Sequence, residues 1–169
     1  PECCDPVELL DLSGRKGLVI GIANERSLAW PAALHFRRDL GIATDPARVI
    51  VTAGGKQAIF EALAASVSAG DEVVVPSPWW VSYPQMVRFC GGTVVPLRTS
   101  AHNGFRFSPS ELEALISPRT NWLMLNSPGN PTGAVYPADM LRGIGEVLRR
   151  HPQVLVLSDD IYAPLRYSD

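Results

Sequence analysis

The chain has 169 residues, 46% hydrophobic and 19% charged, which suits one domain with a buried core, or a piece of a larger protein, and excludes a disordered chain. Fifteen Lys and Arg against 17 Asp and Glu leave a net charge of -2, so nothing favours nucleic acid or an anionic membrane. No run approaches the roughly 18 apolar residues that span a bilayer, and the first residues carry no signal-peptide pattern.

Residues 1–12 are polar and turn-like, and the neighbours Cys3 and Cys4 are poorly placed to bridge each other. With Cys90 they form an odd set without zinc-site spacing, which predicts no metal site and a reduced, cytoplasmic setting. From Ser13 the pattern sharpens. S-G-R-K, the apolar run Gly17 to Ile22, and A-N-E-R-S-L-A-W predict a buried strand, a turn, and a helix from Ser27. Such a start can seat a pyrophosphate on a helix N-terminus, but no glycine follows Gly21 until Gly41, so the dinucleotide fingerprint is incomplete. Residues 13–30 resemble the opening of NAD-dependent enoyl-acyl-carrier-protein reductases, which implies an NAD-binding module. The resemblance stops near Pro31, and the Tyr with a Lys at helical distance that those reductases need is absent downstream.

Ala32 to Leu40 predicts an amphipathic helix ended by Gly41; His35 on it, His102 in a loop and His151 near a helix end read as structural. Val49 to Thr52 predicts a β-branched strand, followed by Gly54-Gly55-Lys56-Gln57 and a helix to about Ser68 whose Ile59, Leu63 and Val67 share a buried face. Glycines between a strand and a helix make an anion seat, or a turn that allows close packing. The nucleotide P-loop is excluded, because its spacer and its Lys-Ser/Thr ending are missing. Glu72 to Val75 predicts a strand stopped by Pro76-Ser77-Pro78, with Trp79 and Trp80 beyond it; either indole can stack on a flat ring or cap the core. A helix over Val81 to Phe89 and a strand over Thr93 to Leu97 follow.

Ser108, Pro109 and Glu111 spell a capping box with proline at the first helical position, and Pro118 closes that helix. Strand Trp122 to Leu125 leads into Asn126 to Gly133, N-S-P-G-N-P-T-G, a turn stiffened by two prolines that can hold the Asn130 amide in a fixed direction. A helix from Pro137 with a Leu141, Ile144, Leu148 stripe precedes strand Val154 to Leu157. That strand delivers Asp159 and Tyr162. Asp159 reads as a carboxylate in a crevice, paired with a ring N–H, or as a helix N-cap; Tyr162 as a hydroxyl near the same ligand, or as core. Alternating strands and helices predict an α/β three-layer sandwich with a mostly parallel central sheet, its ligands at the carboxyl ends of the strands. Anion seat, stacking surface, amide, buried carboxylate and phenol together suit a phosphorylated aromatic pyridine such as pyridoxal phosphate.

Residues 33–169 resemble the large domain of class I, fold type I, pyridoxal-phosphate aminotransferases in the aspartate and aromatic branch. The resemblance rests on V-T-A-G-G-K-Q-A-I-F, P-S-P-W-W-V-S-Y-P-Q-M-V-R-F-C-G-G, P-R-T-N-W-L-M-L-N-S-P-G-N-P-T-G-A-V-Y-P and S-D-D-I-Y. It implies that Gly55, Lys56 and Gln57 bind the cofactor phosphate, largely through backbone N–H groups, and that Trp80 stacks on the ring. It implies that Asn130 and Tyr162 hydrogen-bond the ring's phenolic oxygen, and that Asp159 keeps the ring nitrogen protonated. An amino acid and a 2-oxo acid are then the substrates and a homodimer the usual assembly. The family's Schiff-base lysine lies beyond the Asp–Tyr segment and is not in this sequence, whose lysines are Lys16 and Lys56. The sequence therefore reads as an aminotransferase fragment, with residues 1–32 a segment of different character; the alternatives are a non-catalytic remnant or chimera binding the cofactor weakly, or an NAD-binding module.

Overall fold

The computed structural model describes residues 18–20, 50 and 52–165. Within them, β1 (Leu18–Ile20), β2 (Glu72–Ser77), β3 (Thr93–Arg98), β4 (Thr120–Asn126) and β5 (Leu155–Asp159) form one sheet in the order β1-β5-β4-β2-β3. Every pairing is parallel. Four helices flank it: α1 (Gly55–Ser66), α2 (Ser82–Phe89), α3 (Pro109–Leu115) and α4 (Ala138–Arg150).

The strands bury both faces, because successive side chains alternate across the sheet. Val73, Val75, Trp122, Met124 and Leu157 meet Ile59 and Leu63 of α1 and Met86 and Val87 of α2. Val74, Leu123, Leu125 and Val156 meet Leu112 of α3 and Leu141, Ile144 and Leu148 of α4. Leu63, Leu123 and Leu148 are fully enclosed, so each contributes about 1.5–3 kcal/mol of burial. The result is the predicted three-layer α/β sandwich.

Local signals place the helices. Ser108 Oγ accepts from the Glu111 N–H while Glu111 returns to the Ser108 N–H, closing the capping box of α3. Arg150 of α4 pairs with Glu113 of α3 at 2.7 Å. Gly143 lets the two helices approach: a methyl group there would stand 2.7 Å from Pro109 Cγ.

The chain reverses its direction of winding between β2 and β4. β3 lies outside β2, and the connection through α3 returns to β2's other side, after which β4 and β5 continue away. That reversal opens a crevice at the carboxyl ends of β2 and β4.

Of the predicted strand Val49 to Thr52, two residues are described. Ile50 and Thr52 are not in a strand, and positions 49 and 51 lie outside the described residues. A strand needs a partner for its backbone groups, and no described strand pairs with this segment; Ile50 is 71% exposed. The predicted helices from Ser27 and over 32–40, and Cys3, Cys4, Lys16 and His35, also lie outside the described residues. The predicted strand at 17–22 is observed as Leu18–Ile20, in register with Leu157–Asp159 of β5. His102 is exposed in a 3-10 turn and His151 caps α4, its Nε2 3.8 Å from Glu113.

The amino ends of the strands carry a different kind of contact. Glu72 is buried and takes hydrogen bonds from Ser117 Oγ at 2.5 Å and from Arg119 at 2.6 and 3.1 Å. The Ser117 hydrogen bond, with Arg119 added, outweighs desolvation and holds the Glu72 carboxyl below the usual glutamate range. A carboxyl lowered in the folded state stabilises the fold above its unfolded pKa, about 4.3, and that contribution is lost as pH falls below it. Arg119 is largely exposed, so the whole network is worth only about 1 kcal/mol. Glu72→Gln should therefore lower stability by that amount in urea denaturation at pH 7, and the difference from the parent chain should vanish as the pH is taken below about 4.

Candidate active site

The first wall of the site is the start of α1. Gly54 precedes the helix at φ 135°, a backbone region that side chains disfavour. The next residues, Gly55 and Lys56, present helical N–H groups that have no intrahelical acceptor, a seat for an anion. Gln57 is built differently. Its N–H bonds the Gly54 carbonyl at 3.2 Å, its Oε1 accepts from the Ala53 N–H at 2.8 Å, and its Nε2 donates to Glu61 at 2.6 Å. The Gln57 side chain is thus turned back to the residue before the N-cap and along the helix, and does not line the crevice.

The second wall is the turn after β4. Its backbone closes on itself through Gly129 N–H to the Ala134 carbonyl at 2.9 Å and Gly133 N–H to the Gly129 carbonyl at 2.7 Å. Ser127 Oγ accepts from the Tyr136 N–H at 3.1 Å. Inside this frame the Asn130 N–H is held by Asn126 Oδ1 at 2.7 Å, and Asn130 Nδ2 donates to Tyr162 Oη at 3.0 Å. With its oxygen accepting from Asn130, the Tyr162 hydroxyl keeps its own proton for another partner.

The third wall is the end of β5. Asp159 is buried, only 8% exposed. Its Oδ2 accepts from the Tyr83 hydroxyl at 2.5 Å and its Oδ1 from the Ile161 N–H at 3.3 Å. One oxygen thus caps the turn that follows, and the residue lines the crevice. Tyr83 is buried on α2 and stands edge-on to Trp80, ring centroids 5.3 Å apart. Burial first, and the Asp159 charge second, push the Tyr83 pKa well above the ordinary phenol range, so it stays a donor. Lys56 Nζ lies 4.9 Å from the centroid of the Trp80 ring, a cation–π contact.

These three walls border an open crevice, lined by Gly55, Lys56, Trp80, Asn130, Asp159 and Tyr162 together with Tyr83. Of the sequence-predicted site residues, only Gln57 stands apart. A second hollow lies beside it at the carboxyl ends of β2 and β4, lined by Trp79, Phe105, Asn126 and Tyr136 among others. Tyr83 and Asn130 border both hollows, so the two neighbouring indoles are separated: Trp80 faces the first and Trp79 the second.

Sequence reasoning missed Tyr83 and Asn126. Tyr83 lies three residues after Trp80, and i, i+3 spacing was the one signal available that the two rings meet. Asn126 was read only as the edge of the turn, yet its Nδ2 donates to the Asp159 carbonyl at 2.7 Å.

The arrangement can therefore hold an anion at one end, a flat ring in the middle, and a protonated ring nitrogen against Asp159, with Asn130 and Tyr162 donating to a ring oxygen. Among the described residues no group of His, Cys, Asp and Glu is placed to hold a metal ion, and no helix is long and apolar enough to cross a membrane.

Comparison with known proteins shows the family. The family profile for aminotransferase class I and II matches residues 27–169. An aspartate/prephenate aminotransferase of Cereibacter sphaeroides is 49% identical over 134 residues, 79% of this chain and 34% of that protein. A probable aspartate/prephenate aminotransferase of Thermus aquaticus is 43% identical over 96% of this chain and 44% of its own length. The crystal structure of the aspartate aminotransferase from Rhizobium meliloti superposes with a TM-score of 0.81 at 38% identity, covering 96% of this chain and 40% of that one. The chain thus spans about a third to under a half of the length of these relatives. Matches that run across 96% of the chain leave the reductase likeness of residues 13–30 without support.

The Tyr83–Asp159 contact has a direct test. Tyr83→Phe keeps the ring and removes the donor to a buried carboxylate, so urea denaturation at pH 7 should show a loss of about 1–3 kcal/mol. An unchanged midpoint would show that water replaces the phenol.

Proposed function

Because the chain belongs to the class I and II aminotransferases, we propose that its crevice holds pyridoxal 5′-phosphate and that the protein moves an amino group between an amino acid and a 2-oxo acid. The observation that supports this reading most directly is the convergence of Gly55, Lys56, Trp80, Asn130, Asp159 and Tyr162 on one crevice. The chemistry of that donor set fits the cofactor: unpaired helix N–H groups and an ammonium for the phosphate, an indole for the ring, and donors for the phenolic oxygen.

The cofactor supplies, when bound, an electron sink for the pair left behind as the substrate's α-proton departs. The chain's own residues bind and orient it. Asp159, buried and already holding one donor from Tyr83, would keep a proton on the ring nitrogen. Asn130 and Tyr162 would donate to the phenolic oxygen, their mutual hydrogen bond fixing the angle of approach. Gly55 and Lys56 would take the phosphate at the N-terminus of α1, and Trp80 would close one ring face.

The lysine that the resemblance calls for as the carrier of the cofactor is not among these residues, so binding and transfer are separate parts of the proposal. The names of these relatives make aspartate and prephenate the first amino donor and acceptor to assay. A homodimer and a cytoplasmic setting go with the same reading.

Equilibrium dialysis of the chain against pyridoxal 5′-phosphate tests the binding part. Saturable binding is expected, with Asp159→Asn weaker by about 10- to 100-fold and pyridoxal without its phosphate weaker than the phosphate ester. No saturable binding by the parent chain, or equal affinity for Asp159→Asn, would sink the reading.

A further inference from the structure

We propose that Asn126 is a positioning residue that aims both Asn130 and Asp159 into the crevice; the inference rests on the reading that the crevice holds pyridoxal phosphate. Asn126 is the last residue of β4 and pairs in register with Asp159, the last residue of β5. Both halves of its amide are engaged across that pair. Nδ2 donates to the Asp159 carbonyl at 2.7 Å, and Oδ1 accepts from the Asn130 N–H at 2.7 Å.

Where two parallel strands end, the sheet's own hydrogen bonds no longer hold the chain that leaves them. Asn126 replaces the missing bonds with side-chain ones. Only a carboxamide offers a donor and an acceptor on one short planar group, so Asp, Ser or Ala at this position keeps one arm or neither. Each arm continues to a group that faces the ligand. Beyond the Asn130 N–H, the Asn130 side chain reaches Tyr162 at 3.0 Å; beyond the Asp159 carbonyl, the Asp159 carboxylate is met by Tyr83 at 2.5 Å. Asn126 itself does not line the crevice and borders only the second hollow beside it. Its effect passes through its two neighbours.

The arm to Asn130 leads to the phenolic oxygen of the ring, which allows a test that general damage to the fold cannot imitate. Dialysis is run with pyridoxal 5′-phosphate and with its analogue lacking the ring hydroxyl. The parent chain should prefer the hydroxyl-bearing ligand by about five- to tenfold. That preference should fall to near unity in Asn126→Ala and in Asn130→Ala, and the double variant should fall no further. A preference that survives in Asn126→Ala, with both ligands weakened alike, would overturn the proposal and leave Asn126 a structural residue. If Asn126→Ala does not fold by circular dichroism, Asn126→Asp keeps the oxygen that accepts from Asn130. It should retain the preference, and its loss there would also overturn the proposal. Failure of the parent chain to bind either ligand would instead remove the cofactor reading itself.

Discussion

A carboxylate buried at the end of a strand cannot be left alone. Moving an ion from water into a protein interior costs several kcal/mol unless hydrogen bonds replace its hydration. Asp159 meets that requirement with two donors, the Tyr83 hydroxyl of α2 and the Ile161 amide of its own turn, while its backbone carbonyl is held by the Asn126 side chain of β4. Each partner is held in turn. Tyr83 packs edge-on to Trp80, and Asn126 holds the loop that carries Asn130. The need to satisfy one charge thus fixes the relative position of the other groups around the crevice.

The sheet divides its labour between its two ends. At the amino ends of β2 and β4, Glu72, Ser117, Arg119 and Thr120 form a closed set in which the carboxylate's partners are all from the protein. At the carboxyl ends the polar groups are only partly spent. Tyr162 keeps its proton, and the first N–H groups of α1 have no intrahelical acceptor. A parallel sheet favours this asymmetry because every strand delivers its last residue to the same edge.

Much of this was legible in the sequence, for physical reasons that vary from residue to residue. The capping box at Ser108 and Glu111 is a local interaction, so four letters suffice to find it. The strands of the sheet read clearly because apolar runs in a doubly covered parallel sheet have few alternatives. Ile50 and Thr52 carried the same β-branched signal but lie outside any described strand, because a strand exists only when a neighbour pairs with it, and that is not a local property. For Gln57 the sequence could suggest a backbone N–H beside an anion, but not that its side chain turns back to Ala53 and along the helix to Glu61. Tyr83 and Asn126 act on Asp159 from 76 and 33 positions away, a separation that no pattern within a single segment encodes.

The stacking surface is not bare. The ammonium of Lys56 lies over the Trp80 ring, drawn there by the negative face of the indole. A flat ring arriving on that face displaces a cation rather than water, so its measured affinity is the difference between two guests. The same exchange would free a positive charge beside the start of α1. Vacating the indole and arming an anion seat would then be one movement of one side chain, on which salt acts in opposite senses: it loosens the ammonium from the indole and weakens its hold on an anion.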